Sequence, residues 1–207
     1  MTHIILLGDS IFDNKSYVGD APDVISHLRS LAEPDTRATL LAVDGSRAHD
    51  VPEQAARIPD DATHLFLSVG GNDALYEADI LNMPCRSSAE VFSELSDRAA
   101  AFESRYERAL EAVLEPGLPT AICTIYYPRF EDPMAQKIAV AALASFNDVI
   151  IRQAFSRELP LIDLRLTCSE YEDYANDIEP SDQGGRKIAE AIIKMTKEHD
   201  FGAMSTN

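Results

Sequence analysis

The sequence predicts an α/β protein in which a five-stranded parallel sheet, in the strand order 2-1-3-4-5, lies between two layers of helices. Two observations predict this three-layer α/β/α sandwich. Five short runs are apolar at nearly every position, which is typical of parallel strands that are covered on both faces. Each run is followed by a segment with helical spacing, so strands and helices alternate along the chain.

The apolar runs are the strand candidates. They are HIILLG, TLLAV, HLFLSVG, TAICTIYY and LPLIDLR, at residues 3–8, 39–43, 64–70, 120–127 and 159–165. In doubly wound sheets, ligands bind beyond the carboxyl ends of the strands. The loops that follow these five runs are therefore where we expect the functional residues.

Four segments have helical spacing. They cover residues 22–32, which begin with Pro22, residues 88–115, residues 134–155, and residues 184–195, which follow the candidate N-cap Ser181. In the longest segment, apolar residues from Phe92 to Val113 recur at steps of three and four, which places them on one helix face. No repeat or linker divides the chain, so we expect one domain over residues 1–207.

The composition limits the classes of partner. The 35 acidic and 18 basic residues give a net charge of −17, which argues against nucleic acid or an anionic membrane surface. The three cysteines form no CxxC pair, so we expect neither a metal site nor disulfides. No signal peptide is recognisable, and no apolar stretch approaches the ~20 residues of a membrane span. We therefore expect a cytoplasmic location and no membrane partner.

Unusual residues follow three of the predicted strands. Gly8-Asp9-Ser10 follows the first, Asp44-Gly45-Ser46 the second, and Gly70-Gly71-Asn72-Asp73 the third. Each group alone is a common turn signal, because turns favour these residue types. Their occurrence in order, at the carboxyl ends of three parallel strands, indicates a common site instead.

These segments resemble a known family. LLGDSIFDN is similar to the first block of the GDSL, or SGNH, hydrolases, VDGSRAHD to their glycine block and SVGGNDAL to their GxND block. The resemblance implies the flavodoxin-like SGNH hydrolase fold, with Ser10 as nucleophile. It also implies an oxyanion hole formed by the backbone N–H groups of Ser10 and Gly45 and the side chain of Asn72. No metal or organic cofactor is implied.

The fourth block of this family usually reads D-x-x-H-P, and here the corresponding segment reads NDIEPSDQGGRKIA, residues 176–189. Glu179 stands in the place of the histidine and Asn176 in the place of the aspartate. A glutamate can act as base if burial or a neighbouring acid raises its pKa. Glu172, Asp173 and Asp177 are close in sequence and so are candidates to raise it, and Asn176 is a candidate to orient the carboxylate.

Two alternatives to this assignment stay open. In the first alternative, Glu179 is a surface acid beside a helix N-terminus, and the helix dipole would lower the pKa of its carboxyl group. In the second alternative, His49 is the base, because it follows Gly45 by four residues and so lies near the carboxyl edge of the sheet.

The loop after the fourth strand also carries candidate site residues. Tyr126, Tyr127 and Arg129 follow this strand and are candidates for the pocket wall.

The expected function is hydrolysis of a small ester or acyl substrate through a Ser10 acyl-enzyme, with Glu179 in place of histidine. Two alternatives belong to other classes. One is a non-catalytic binding protein that retains the pocket, and the other is an acyltransferase with a hydroxyl acceptor. The acyl chain, the leaving group and the oligomeric state are left open by the sequence.

Overall fold

The computed structural model describes residues 1–201. Its parallel sheet has five strands in the order β2-β1-β3-β4-β5, which confirms the prediction. The strands are β1 Thr2–Gly8, β2 Thr36–Leu40, β3 His64–Ser68, β4 Thr120–Cys123 and β5 Leu161–Ile162. In the register of the sheet, Ile5 of β1 pairs with Thr39 of β2 on one side and with Leu65 of β3 on the other.

Eight α-helices lie within residues 1–201. They are α1 Lys15–Val18, α2 Val24–Leu31, α3 Val51–Ala55, α4 Gly71–Tyr76, α5 Ser88–Leu114, α6 Pro133–Ser156, α7 Leu164–Thr167 and α8 Asp182–Glu198, with short 3₁₀ turns at Ala48–Asp50, Ala78–Asn82 and Tyr171–Asp173. Ser181 caps α8 as predicted, because its Oγ accepts the N–H of Gly184. Helix α2 begins after Asp23 rather than at Pro22, because the Asp23 carboxylate accepts the N–H of Ser26.

The core consists of two apolar layers, one on each face of the sheet. Because successive side chains of a strand point to opposite faces, β1 contributes to both layers. Ile5 and Leu7 pack in the layer formed with α3, α5 and α6. Ile4 and Leu6 pack in the layer formed with α2 and α8. The prediction of strands that are buried on both faces is therefore confirmed.

Side-chain hydrogen bonds end the strands earlier than the apolar runs suggest. The run 120–127 leaves the sheet after Cys123, because the Asn147 side chain bonds to both the N–H and the C=O of Ile125, each at 2.8 Å. The run 159–165 is a strand only over Leu161–Ile162, because the Asp163 side chain caps α7. The second strand lies earlier than predicted and ends at Leu40.

The two longest helices extend beyond the sheet. Helices α5 and α6 have 27 and 24 residues, which makes them about 40 and 36 Å long at 1.5 Å per residue. The strands have at most seven residues, about 23 Å. Phe102 of α5 is fully buried, whereas Phe92 is 70% exposed, so the predicted apolar stripe is fully buried only from Phe102 onward. The amino-terminal parts of both helices therefore extend past the carboxyl edge of the sheet.

Helix α6 has the length and composition of a membrane-spanning helix, with a mean hydropathy of 1.4 over 18 residues. The expectation that no apolar stretch approaches this length was wrong. A third of this stretch is buried within the protein, and the core helices of soluble proteins meet the same criteria. One such helix is therefore weak evidence for a membrane.

Candidate active site

The turn after β1 brings Ser10 to the carboxyl edge of the sheet. Gly8 has a φ of +123°, and a Cβ there would lie 1.8 Å from the carbonyl oxygen of Ser68 on β3. Only glycine fits this close approach of two strands. The chain then turns, and the Asp9 carboxylate accepts the N–H of Ile11 at 3.1 Å. Ser10 is 7% exposed at the apex of this turn.

Ser10 and Glu179 are joined by a hydrogen bond. The hydroxyl of Ser10 donates to Oε1 of Glu179 at 3.1 Å. Glu179 is 5% exposed, and within residues 1–201 its buried Oε2 has no hydrogen-bond partner. The pKa of Glu179 is raised to about 7, mainly by burial and to a smaller extent by the negative charge of Asp44, while the bond from Ser10 opposes the shift. Glu179 is therefore not the surface acid of the first alternative.

The acids close to Glu179 in sequence are not among the groups that raise its pKa. Asp173 is fully buried and lies 2.8 Å from the ammonium group of Lys187, and Asp177 is exposed. The nearby negative charge is instead that of Asp44, in the glycine block. The expectation was wrong because sequence proximity within residues 172–179 does not place these acids beside the carboxylate.

Three side chains hold the backbone on either side of Glu179. Asn176 Oδ1 accepts the N–H of Glu179 at 2.9 Å, so it orients the backbone rather than the carboxylate. The Tyr126 hydroxyl donates to the carbonyl oxygen of Ile178 at 2.6 Å. The Asn14 side chain donates to the carbonyl oxygen of Pro180 at 3.1 Å. This role of Asn14 was not predicted from the sequence, although Asn14 ends the LLGDSIFDN block.

Three N–H donors lie on the loops that the sequence singles out. Gly45 has a φ of +80°, a conformation that favours glycine. No hydrogen bond within residues 1–201 uses the backbone N–H of Ser10 or of Gly45. One N–H of the Asn72 side chain donates to the carbonyl oxygen of Ser46 at 3.0 Å. The second N–H of this amide has no hydrogen-bond partner within residues 1–201.

Ser46 connects the loops that follow the first three strands. Its carbonyl oxygen accepts from Asn72, and its hydroxyl accepts from Gln54 Nε2 at 3.2 Å. The same Gln54 side chain bonds to both the N–H and the C=O of Gly8, at 2.7 and 2.8 Å. Gln54 was missed because its only sequence signal is one polar residue in the short helix α3.

His49 does not support the second alternative. Its side chain is half exposed, and Nε2 lies 3.3 Å from Oδ1 of its neighbour Asp50. The hydroxyl of Ser10 donates instead to Glu179. Glu179 is therefore the titratable side chain that the structure places against Ser10.

Ser10, Asn72 and Glu179 line one cavity of about 470 Å³, a volume typical of small-molecule sites. Tyr126 also lines it, as predicted, whereas Gly45, Tyr127 and Arg129 do not. The Arg129 guanidinium lies over the ring of Tyr174 instead. Residues 1–201 contain no cluster of three or more His, Cys, Asp or Glu side chains that could hold a metal ion.

Asp9 is the second carboxyl group beside Ser10. It is 2% exposed and lines the same cavity. Burial, and then the negative charges of Glu179 and Asp73, raise its pKa to about 8, while the bond from Ile11 lowers it. Burial therefore favours the neutral form of Asp9, and Asp9 and Glu179 titrate as an interacting pair.

A family model described as GDSL-like Lipase/Acylhydrolase matches residues 6–187, a range that includes Ser10, Gly45, Asn72 and Glu179. The chain belongs to this family. A search of curated proteins found no significant match. GDSL hydrolases act on small ester or lipid substrates, and Glu179 is where this member departs from their usual fourth block.

Solved structures show the same fold. The extracellular lipase of Streptomyces rimosus superposes with a TM-score of 0.69 at 15% identity, over 94% of this chain and 99% of that chain. A GDSL-family lipolytic protein of Veillonella parvula gives 0.68 at 17%, over 96% and 100%. Phospholipase A1 of Streptomyces albidoflavus gives 0.67 at 16%, over 95% and 99%. At these identities the likeness establishes the GDSL fold alone.

Proposed function

We propose that this GDSL-family member is a serine hydrolase of carboxylic esters in which Ser10 is the nucleophile and Glu179 is the general base. The observation that carries the proposal is the 3.1 Å hydrogen bond from the Ser10 hydroxyl to Glu179. Nucleophile and base within this distance, inside a substrate-sized cavity, are the arrangement that covalent catalysis needs.

In the first half of the reaction, Ser10 Oγ attacks the ester carbonyl carbon while its proton passes to Glu179. The carbonyl oxygen becomes an oxyanion, which the N–H groups of Ser10, Gly45 and Asn72 stabilise. Glu179 then gives the proton to the leaving alcohol oxygen as the ester C–O bond breaks. The product of this half is an acyl-enzyme on Ser10 and a free alcohol.

In the second half, water attacks the acyl-enzyme and Glu179 takes its proton. Collapse of the second tetrahedral intermediate breaks the bond to Ser10, which recovers the proton from Glu179. The pKa of about 7 suits both steps, because a group with a pKa near the working pH both accepts and returns protons efficiently. An alcohol in place of water would give acyl transfer by the same steps.

The test compares kcat/KM for p-nitrophenyl butyrate between the wild type, Ser10→Ala and Glu179→Gln. We expect Ser10→Ala to abolish hydrolysis, and Glu179→Gln to lower it at least ~100-fold, because the amide keeps the shape but cannot act as base. Glu172→Gln is the matched control, because Glu172 is an exposed acid of the same segment.

Labelling with a serine-directed phosphonate distinguishes a serine hydrolase from a non-catalytic binding protein. An activated Ser10 forms a covalent adduct that Ser10→Ala lacks, whereas a binding protein forms none. Full activity in Glu179→Gln contradicts the base assignment. Absence of both labelling and hydrolysis in the wild type indicates a non-catalytic binding protein.

A further inference from the structure

One wall of the cavity beside Ser10 is a continuous apolar face of helix α6. Seven of its residues line the cavity, at alternating steps of one and three: 134, 135, 138, 139, 142, 143 and 146. This spacing follows one side of a helix. From the first to the last of these residues the wall is about 18 Å long at 1.5 Å per residue.

Exposure along this wall shows which end is open. Met134 is 63% exposed, Ile138 is 38% exposed, and Phe146 is 2% exposed within the core. On the opposite wall, Leu75 and Leu81 are also about half exposed. The cavity, which we call the channel, therefore follows α6 from a solvent-exposed end at Met134 to a buried end at Phe146.

Alanines create the width of this channel. Ala135, Ala139 and Ala142 line it from α6, and Ala74 and Ala78 line it from the opposite wall. A leucine or phenylalanine at any of these positions would project into the space that the alanines leave open. The channel is thus lined mainly by apolar side chains, and its volume of about 470 Å³ is in the range of small-molecule sites.

The charged side chains that line the channel are all carboxyl groups. They are Asp9, Glu77, Asp132 and Glu179, and no Lys, Arg or His of the described residues lines it. A phosphate or a free carboxylate on the ligand would have no cation to pair with there. Repulsion from a chain of net charge −17 adds to this effect.

We infer that this channel binds the aliphatic acyl chain of the substrate, and that the substrate is an ester of a straight-chain fatty acid with an uncharged alcohol. An ester carbonyl at Ser10 leaves the acyl chain to lie along the α6 wall. The fatty-acid product is an anion among carboxylates, which favours its release. The reaction rests on the proposed function, whereas the binding of an uncharged aliphatic chain does not.

The first experiment measures kcat/KM for p-nitrophenyl esters from acetate to decanoate in the wild type, Ala142→Phe and Ala144→Phe. Burial of each added methylene favours binding by up to about fourfold, so we expect at least a tenfold rise from butyrate to octanoate in the wild type. Phenylalanine at position 142 fills the channel and lowers the octanoate-to-butyrate ratio at least tenfold.

Ala144→Phe is the matched control, because Ala144 is exposed on the same helix and does not line the channel. We expect it to keep the wild-type ratio. A flat chain-length profile in the wild type, or equal profiles in the two phenylalanine variants, overturns the inference. Octanoyl-CoA is tested in parallel, and turnover comparable to that of p-nitrophenyl octanoate overturns the preference for an uncharged leaving group.

The second experiment measures binding without catalysis. Titration calorimetry follows dodecan-2-one, an uncharged straight-chain ketone, into the wild type, Ser10→Ala and Ala142→Phe. We expect binding to the first two and at least tenfold weaker binding to Ala142→Phe. If the wild type binds the ketone but hydrolyses no ester, the inferred binding of an aliphatic chain stands and the proposed catalysis is rejected. Absence of binding to the wild type, or equal binding by Ala142→Phe, rejects the channel.

Discussion

Glu179 meets the two requirements of a base, reach and pKa, in different ways. Its reach comes from the backbone contacts of Asn14, Tyr126 and Asn176, which hold the residue on both sides. Its pKa of about 7 comes mainly from burial. A glutamate with a pKa near its usual value of ~4.3 would be a weak base for a hydroxyl. In the proposed mechanism, burial of the Glu179 carboxylate supplies the raised pKa that the absent histidine would otherwise provide.

The pH dependence of kcat/KM tests this assignment. Only ionised Glu179 accepts the proton of Ser10, so we expect activity to rise as the pH passes about 7. Above about pH 8, ionisation of Asp9 places a second negative charge in the site, so we expect a decline. Because the two groups interact, the limbs of the profile report the pair.

Asp44→Asn shifts the acidic limb in a defined direction. Loss of the like charge lowers the pKa of Glu179, so we expect this limb to move to lower pH. Tyr17→Phe is the control, because Tyr17 donates to both oxygens of Asp44, at 3.1 and 2.9 Å, and its loss leaves the charge in place. A limb that stays at the wild-type pH in Asp44→Asn contradicts the role of Asp44.

At the level of elements, the site depends on contacts between loops that are far apart in sequence. The bond from Tyr126 to the carbonyl oxygen of Ile178 links the loop after β4 to the segment that carries Glu179. The Gln54 side chain on α3 links the end of β1 to the Ser46 loop. These polar side chains form hydrogen bonds with backbone groups that have left the sheet and no longer pair with a neighbouring strand.

Tyr126→Phe tests whether the loop after β4 positions Glu179. The variant keeps the ring on the cavity wall but loses the 2.6 Å bond, so we expect kcat to fall about 5- to 20-fold with little change in KM. Tyr174→Phe is the control, because the Tyr174 hydroxyl bonds to the carbonyl oxygens of Tyr127 and Cys168 instead. An equal loss in both variants indicates a general structural effect.

The sequence predicts the order of the sheet because buried parallel strands leave continuous apolar runs. It predicts their ends poorly because Ile125 is apolar for another reason, as part of the cavity wall. The contact between Ser10 and Glu179 is predicted by the order of the blocks. The cause of the raised pKa is not, because burial depends on segments that meet only in the fold. Gln54 and Asn14 bind backbone atoms of residues far from them in sequence, a role that residue type alone does not indicate.

At the scale of the molecule, the site lies where the two long helices, α5 and α6, extend beyond the carboxyl edge of the sheet. The amino-terminal half of α6 has no strand beneath it, so its apolar face from Met134 to Leu143 borders a cavity instead of the core. The same overhang explains why apolar side chains such as Met134 and Phe92 are exposed. Helix length, rather than any single residue, therefore provides the space beside Ser10.

Burial of an acid lowers the free energy of unfolding of the whole molecule when that acid is ionised, in a chain whose net charge is already −17. The pKa of Glu179 rises from 4.5 to about 7 on folding, so the folded state binds its proton more tightly. Stability is consequently lost as the pH rises from about 4.5 through 7, and the loss is complete above that range. A neutral side chain of the same shape at position 179 avoids this loss of stability.

We therefore expect Glu179→Gln to be more stable than the wild type at pH 8, by about 1–3 kcal/mol, although it is less active. The advantage shrinks towards pH 5, where Glu179 is protonated in the folded state. Urea denaturation at both pH values measures it, and Glu172→Gln controls for the loss of one negative charge from an exposed site. A Glu179→Gln variant that is no more stable than Glu172→Gln at pH 8 contradicts a Glu179 that is charged and desolvated in the folded state.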